Sequence, residues 1–422
     1  MEGLSRSSWT ALPQALARLL TDRFGVALAS TPSAGDHPAL AWRRAGLMNV
    51  TGRPDGPGRV PPVPLTTLAD ASLEVLRILS ASTRLPASGA LLLGERSRLL
   101  GLARSGDISA NRSCRLLAAT DGLLAINLPR DDDWSLAGAM VQTDVGDWDA
   151  LAAFVRTWPR ETLVERGRVL GLALAADRPA ARLAAPFDAT AFPQAQGPRT
   201  GAPLVVDLTS LWAGPLAGSL LAMAGARVTK VESTTRPDGG RGGHPGFFDL
   251  LNGDKQSAIF DFRDETDLAR LRDLIGAADI VIEGSRPRAL RALGVDAERE
   301  AARGAVWLSI TGHGRHDPAA DWIGYGDDAA VAGGLTSAMR ANCGETMFVG
   351  DAIADPLTGL LAAAAGWAAW NGGGGQLISL ALAEVVAFAC TFAASAAEAH
   401  DWQVMAEADD ADLYALRSHP AK

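Results

Sequence analysis

The segment 203–232 leaves this chain few folds to choose from. Residues 203–208, PLVVDL, are apolar without alternation. That is the pattern of a strand buried on both faces of a sheet. Residues 216–224 follow as a helix that ends at Gly225, the residue type favoured just past a helix end. A second strand, RVTKVE, occupies 227–232. A strand, a helix and a strand within thirty residues imply a parallel pair joined by a right-handed crossover. The alternation continues with a strand at 257–261 and a helix at 265–277, where Leu268, Leu271, Leu274 and Ile275 share one face. Strands at 280–283 and 306–310 follow, with a helix at 286–293 between them. The expectation is a doubly wound, Rossmann-like α/β sheet. Its first strand–helix turn, SLWAGPLAG, is not G-x-G-x-x-G, and no P-loop occurs. An ordinary dinucleotide or nucleoside-triphosphate site is therefore unsupported.

The first half has a different texture. Helices are expected at 8–23, 67–82 and 92–104, with a short strand at 26–29 and a Gly/Pro-rich stretch at 35–65. Residues 114–128 read as two strands around Thr120-Asp121-Gly122, a strong hairpin signal. Helices at 132–140, 148–158 and 161–170 complete a smaller α+β unit, and 177–202 reads as a linker. A chain of 422 residues exceeds one ordinary core. The expected division is an N-terminal region at 1–190, a linker at 191–202, a Rossmann-like domain at 203–395 and a tail at 396–422.

Composition excludes several classes. The longest apolar run, 357–370, falls short of a membrane span. The first twenty residues lack the apolar core and cleavage site of an export signal. Cys114, Cys343 and Cys390 give neither a disulfide framework nor metal spacing, which fits a reducing cytoplasm and no metal. His313 and His316 read as surface residues rather than ligands. A net charge of −9 argues against nucleic acid as a partner.

The chemistry concentrates at 350–359, GDAIADPLTG. Asp355 followed by Pro356 reads as a helix N-cap and first helical residue. The sharper alternative is a carboxylate nucleophile aimed from a helix start, which the helix dipole keeps ionised. An earlier stretch echoes it. Gly46-Leu47 leads to Ala69-Asp70 as Gly334-Leu335 leads to Ala354-Asp355. On this reading Asp70 is a worn duplicate, with Glu74 where Gly359 allows close approach.

The second half resembles the class III CoA-transferases, the family of formyl-CoA transferase, carnitine CoA-transferase and alpha-methylacyl-CoA racemase. Seven motifs stand in the family's order. They are Val206-Asp207-Leu208-Thr209 with Ala213-Gly214-Pro215; Gly225-Ala226 with 228–232; Asn252, Lys255, Ser257 and Asp261; Glu283, Arg286, Pro287 and Leu293-Gly294; Ser309–Gly312 with Gly314 and Gly324-Tyr325; Asp355 with Gly359; and 375–382. The match covers roughly 203–390. The hairpin at 114–128 with Trp134 resembles the family's small domain, which here precedes the nucleotide-type domain, as in a permuted or trimmed tandem.

The resemblance implies a class III CoA-transferase fold and a CoA-transferase that moves CoA between an acyl-CoA thioester and a free carboxylic acid. Asp355 would be the nucleophile, passing through an anhydride and a thioester. Gly372–Gly375 or Gly333-Gly334 would supply oxyanion donors. Leu211, Trp212, Phe260, Arg263, Ser285, Arg286, Arg291 and Tyr325 fall on or beside CoA-contacting positions. Ser233 replaces a nucleotide-binding arginine, for which Arg236 or Arg241 would substitute. The resemblance also implies a homodimer, interlocked in the family. Two alternatives stay open: an acyl-CoA racemase of the same fold, and a catalytically degenerate CoA-binding protein. The racemase histidine position holds Tyr325, and a phenol is a poor base at neutral pH.

Overall fold

The computed structural model describes residues 8–193 and 197–418, so expectations for 1–7, 194–196 and 419–422 lie outside the described residues. The first segment carries α1 (Leu12–Phe24), α2 (Pro38–Arg44), α3 (Leu65–Ser80) and α4 (Gly89–Leu99). The expected helix at 92–104 begins three residues earlier and stops at Leu99, because Gly101 adopts a left-handed conformation at φ 62°. No strand forms at 26–29, where the backbone has no neighbour to pair with.

Next comes a small unit. Strands β1 (Cys114–Ala119) and β2 (Gly122–Asn127) form the expected hairpin, with Ala119 facing Gly122 across the turn. Helices α5 (Asp133–Val141), α6 (Trp148–Val155) and α7 (Arg160–Leu170) precede β3 (Ala173–Ala176), which pairs antiparallel with β2. The helices close an apolar core of their own over one face of this sheet. From the other face, Cys114 and Leu116 pack on Val331 and Phe348.

The remainder begins with β4 (Asp188–Ala191), then β5 (Leu204–Asp207), α8 (Ala213–Met223), β6 (Arg227–Ser233), α9 (Pro245–Asn252), β7 (Gln256–Phe260), α10 (Glu265–Gly276) and β8 (Ile280–Glu283). It continues with α11 (Pro287–Ala292), α12 (Ala297–Ala302), β9 (Val306–Thr311), α13 (Gly326–Ala332), α14 (Leu335–Cys343), α15 (Ala354–Asn371), β10 (Gln376–Ala381), α16 (Leu382–Cys390) and α17 (Ala396–Ala408).

Strands β5–β10 form a parallel sheet in the order β10-β9-β8-β5-β6-β7. The unalternating strands behave as their composition demands. All residues of β8 and β10 are buried, because helices cover both faces of the sheet. Strand β4 adds antiparallel to β10. Its residues lie inside the stretch expected to be linker, and its mostly exposed side chains hide a strand that only main-chain pairing holds at the sheet edge.

Helix α15 is buried almost all round, between the sheet and the N-terminal segment. Alanine and glycine make that possible, since backbones can approach closely. A Cβ on Gly359 would stand 2.5 Å from the Ala213 carbonyl oxygen at the start of α8. One apolar core therefore runs without a break from Leu12 in α1, through α3, α8 and α15, to Ala406 in α17.

Candidate functional site

The sheet order reverses between β5 and β8, since the chain leaves β5 toward β6 on one side and returns to β8 on the other. Ligands of open α/β sheets bind outside the strand ends at such a switch point. A cleft of about 390 Å³ opens there. Its walls include Thr209 and Leu211 after β5, Ser285 and Arg286 after β8, and Trp322 with Tyr325 after β9. Asp355, in the first turn of α15, also lines it.

The β5 wall is held by buried charge. Lys255 Nζ lies 2.8 Å from Asp207, and Lys230 Nζ lies 2.8 Å from Asp238. Asp238 Oδ1 in turn accepts the Leu211 N–H at 2.9 Å. Leu211 sits at φ 71° with its side chain 45% exposed at the cleft. A non-glycine residue in the left-handed region persists only where its surroundings over-determine it, and this ion network supplies that restraint.

Asp355 is not the N-cap of its helix. Ile353 holds that position, and no side chain caps it. The carboxylate turns instead to another element, where Oδ2 accepts the Gly326 N–H at 3.1 Å. Gly326 must be glycine, because a Cβ would stand 2.4 Å from that oxygen. Burial pushes the Asp355 pKa from its ordinary value up to about 6. The charge of Arg96 and the N–H groups of Gly326 and Ala213, at the starts of α13 and α8, pull it back down. The helix-start environment therefore moderates a burial effect that dominates.

Around this carboxylate lie groups that sequence reasoning missed. Arg96 of α4 forms a two-point ion pair with the fully buried Asp351, one contact being 2.7 Å, and its guanidinium carbon lies 4.4 Å from the Trp212 ring centre. Asp327 Oδ2 accepts from the Asn111 amide at 3.2 Å and Oδ1 from the Ala352 N–H at 2.9 Å. Asp328 Oδ1 accepts from Asn127 at 2.8 Å and from the Tyr325 N–H at 3.1 Å. Burial, first of all, raises both Asp327 and Asp328 to about 7. The available signals were an arginine inside an apolar helical run, GALLLGERSRL, and two consecutive aspartates opening a helix. Neither signal says which other segment it meets.

Among the expected CoA-contacting residues, Leu211, Ser285, Arg286 and Tyr325 share the cleft with Asp355. Four others lie elsewhere. Trp212 is buried under Arg96 and against Phe247. Phe260 is buried in the core on the opposite face of the sheet. Arg291 is engaged with Asp296 and Glu298 on the surface. Arg263 is exposed on the turn after β7. Of the two candidates to replace the arginine missing at Ser233, Arg241 is bound to Glu232, whereas Arg236 lines the cleft.

Two further expectations need correction. The N–H groups of Gly372–Gly375 bond carbonyls at the far end of α15 or in the loop before β9, and those of Gly333 and Gly334 close the end of α13. None of them is a free oxyanion donor. Gly372 also lies 17 residues along α15 from Asp355, roughly 25 Å at the helical rise. His313 is not a surface residue either: burial holds it neutral, its pKa lowered to about 3.

The echo is also re-registered. Gly46 and Gly334 have matching left-handed backbones, at φ 79°, ψ 11° and φ 90°, ψ 9°. Counted 21 residues on from each, Asp355 corresponds to Thr67, not Asp70. Asp70 instead accepts from Ser88 Oγ and from the N–H groups of Gly89 and Ala90, capping α4. Tyr325 precedes α13 as His37 precedes α2, and the His37 ring is wedged edge-on against Trp9 and Trp402 at 5.1 and 5.5 Å.

Residues 203–419 match the sequence model of CoA-transferase family III. The chain is similar to a succinate–glutarate CoA-transferase of Agrobacterium fabrum, 33% identical over 200 residues that cover 43% of this chain and 50% of that protein. It is similar to the human succinyl-CoA:glutarate CoA-transferase, 30% identical over 167 residues covering 37% and 38% of the two chains. A CAIB/BAIF family protein from Brucella suis, of known structure, is 29% identical with a TM-score of 0.38, covering 51% of this chain and 58% of that one. The chain thus spans half or less of the length of the curated relatives it matches.

Proposed function

The chain belongs to CoA-transferase family III, and on that premise we propose that it transfers CoA from an acyl-CoA thioester to a free carboxylic acid, with Asp355 as nucleophile. The observation that carries this reading is a carboxylate on the wall of the switch-point cleft that is not consumed by capping its own helix.

Attack of the Asp355 carboxylate on the thioester carbonyl forms an acyl–aspartyl anhydride and expels the CoA thiolate. The thiolate attacks the aspartyl carbonyl, releases the donor acid as its carboxylate and leaves an aspartyl–CoA thioester. The acceptor carboxylate attacks that thioester in turn, giving a second anhydride and the thiolate again. Attack of the thiolate on the acceptor's carbonyl yields the new acyl-CoA and restores Asp355. Splitting one difficult exchange into such covalent steps is the gain. No proton moves in any step, so no general base is required. Among the described residues lining the cleft there is no histidine. Burial raises the Tyr325 phenol above its ordinary pKa, which supports transfer over the racemase reading.

The cations suited to CoA are Arg236 and Arg286 on the cleft walls. The test is mass spectrometry of the protein after incubation with an acyl-CoA. A CoA-sized adduct on the Asp355 peptide, absent in Asp355→Asn, is the expected result. Exchange of the acyl α-hydrogen with solvent deuterium, without an adduct, would establish the racemase reading instead.

A further inference from the structure

Helix α15 starts from a strained turn. Ala352, three residues before Asp355 and buried, sits at φ 42°. Ala81 and Gln142 are left-handed too, but they close α3 and α5, where such a residue is common. Ala352 closes no helix. Its carbonyl accepts the Asp355 N–H at 2.9 Å, so its conformation sets where the first turn of α15 begins.

Each residue of this turn is tied to a different element. The Gly350 N–H donates to Thr51 Oγ1 at 2.9 Å, Asp351 pairs with Arg96, and the Ala352 N–H donates to Asp327 Oδ1 at 2.9 Å. Asp327 lies in the first turn of α13, where a carboxylate would ordinarily serve the free N–H groups of its own helix. Its oxygens turn to other segments instead. Oδ1 serves Ala352, and Oδ2 serves the Asn111 amide of the segment leading into β1. That amide is itself fixed, because its oxygen accepts from Ser109 Oγ at 2.7 Å and from the Ser113 N–H at 3.0 Å. Asp327 is 3% exposed and has no ion-pair partner among the described residues, a costly arrangement for a carboxylate. The residue before it completes the set, since Gly326 donates its N–H to Asp355 Oδ2. The start of α13 thus grips the side chain of Asp355 through Gly326 and the turn in front of it through Asp327.

We propose that Asp327 is a positioning residue for the transfer reaction, whose hold on the Ala352 N–H keeps this turn left-handed and the Asp355 carboxylate aimed into the cleft. This rests on the reading of Asp355 as the nucleophile. A left-handed alanine persists only where its surroundings over-determine it. Without Asp327 the Ala352 N–H is buried and unpaired, which favours a different turn and carries the start of α15 with it. Asp327 does not line the cleft, so its loss should spare substrate binding.

The experiment compares the wild type with Asp327→Ala, Asp327→Asn and the double variant Asp327→Ala/Ala352→Gly. Three quantities are read: kcat and KM for the acyl-CoA, the single-turnover rate of the CoA adduct on the Asp355 peptide, and the CoA affinity by calorimetry. In Asp327→Ala, kcat and the adduct rate should fall together by about 10- to 100-fold, the scale for a misaligned reacting group. KM and CoA affinity should hold. Asp327→Asn keeps an oxygen for the Ala352 N–H and should lose less. The double variant should recover part of the lost kcat, because glycine takes the left-handed turn without restraint. An adduct rate in Asp327→Ala equal to that of the wild type would overturn the positioning role alone. So would a loss of CoA affinity that Ala352→Gly does not restore, which would make Asp327 a structural residue. Absence of the adduct from the wild type itself would overturn the nucleophile reading and the positioning role with it.

Discussion

Replacing Asp355 by Asn separates a nucleophile from a structural carboxylate, because the two roles move stability in opposite directions. The cleft raises the Asp355 pKa from 3.8 to about 6. The folded protein thus binds more protons here than the unfolded chain across that window, so this group makes stability fall as pH rises through it. Through this linkage the group destabilises the fold by about 1.6 kcal/mol at pH 5, where it is mostly protonated in the folded protein, and by about 3 kcal/mol at pH 8, where it is ionised, taking 1.36 kcal/mol per pKa unit. Asn has nearly the same shape and keeps a carbonyl oxygen for the Gly326 N–H. The Asp355→Asn variant should therefore be more stable than the wild type at pH 8, by up to about 3 kcal/mol, with the gain shrinking by about half at pH 5. Urea denaturation of both proteins at the two pH values measures this, and equal m-values keep the comparison clean. The transfer reaction should be abolished in the same variant. A variant less stable than the wild type at pH 8 would refute the reasoning: the carboxylate would then stabilise the fold through its contacts more than burial costs it, as a structural ligand does.

Arg96→Gln removes the positive charge that lowers the Asp355 pKa. The acid limb of the transfer rate, set by ionisation of the nucleophile, should move to higher pH. Because Asp351 is left buried and unpaired, unfolding free energy should also drop by roughly 3–5 kcal/mol, read by denaturation at pH 8. Asp70→Ala deletes the cap of α4 and should cost about 1–2 kcal/mol. The CoA adduct on the Asp355 peptide should persist in that variant, and its loss would show that the N-terminal carboxylate shares the chemistry.

The parallel sheet was legible because each of its central strands is short and apolar without alternation, a pattern that both-face burial requires. Helix α15 was legible for the same reason. Strand β4 was not, since its mostly exposed side chains carry no such signature and only main-chain pairing to β10 defines it. The site shows the same division. Asp-Pro by itself marked only a helix start; Asp355 stood out because it follows an ordered set of motifs resembling those of the family and has a glycine four residues after it. Its partner Gly326 comes from 29 residues upstream, and Arg96 from the other half of the chain. No periodicity links such positions; only the packing of α4 and α13 around the start of α15 does.

The misplacement of the echo has a physical cause as well. Matching residue types put Asp70 beside Asp355, but backbone conformation sets register, and the two left-handed glycines fix it three residues earlier. Thr67 then matches Asp355, fully buried, on a helix packed directly against α15. A hydroxyl without a neighbouring base cannot replace an ionised carboxylate. Across the same relation, Trp9 and Trp402 press on His37 where Trp322 and the open cleft stand beside Tyr325. At the positions matching Asp355 and Tyr325, the N-terminal half thus holds packed side chains, Thr67 and His37. What it contributes to the remaining site is the set of groups around Asp355 that sequence alone leaves unassigned: the charge of Arg96 and the amides of Asn111 and Asn127.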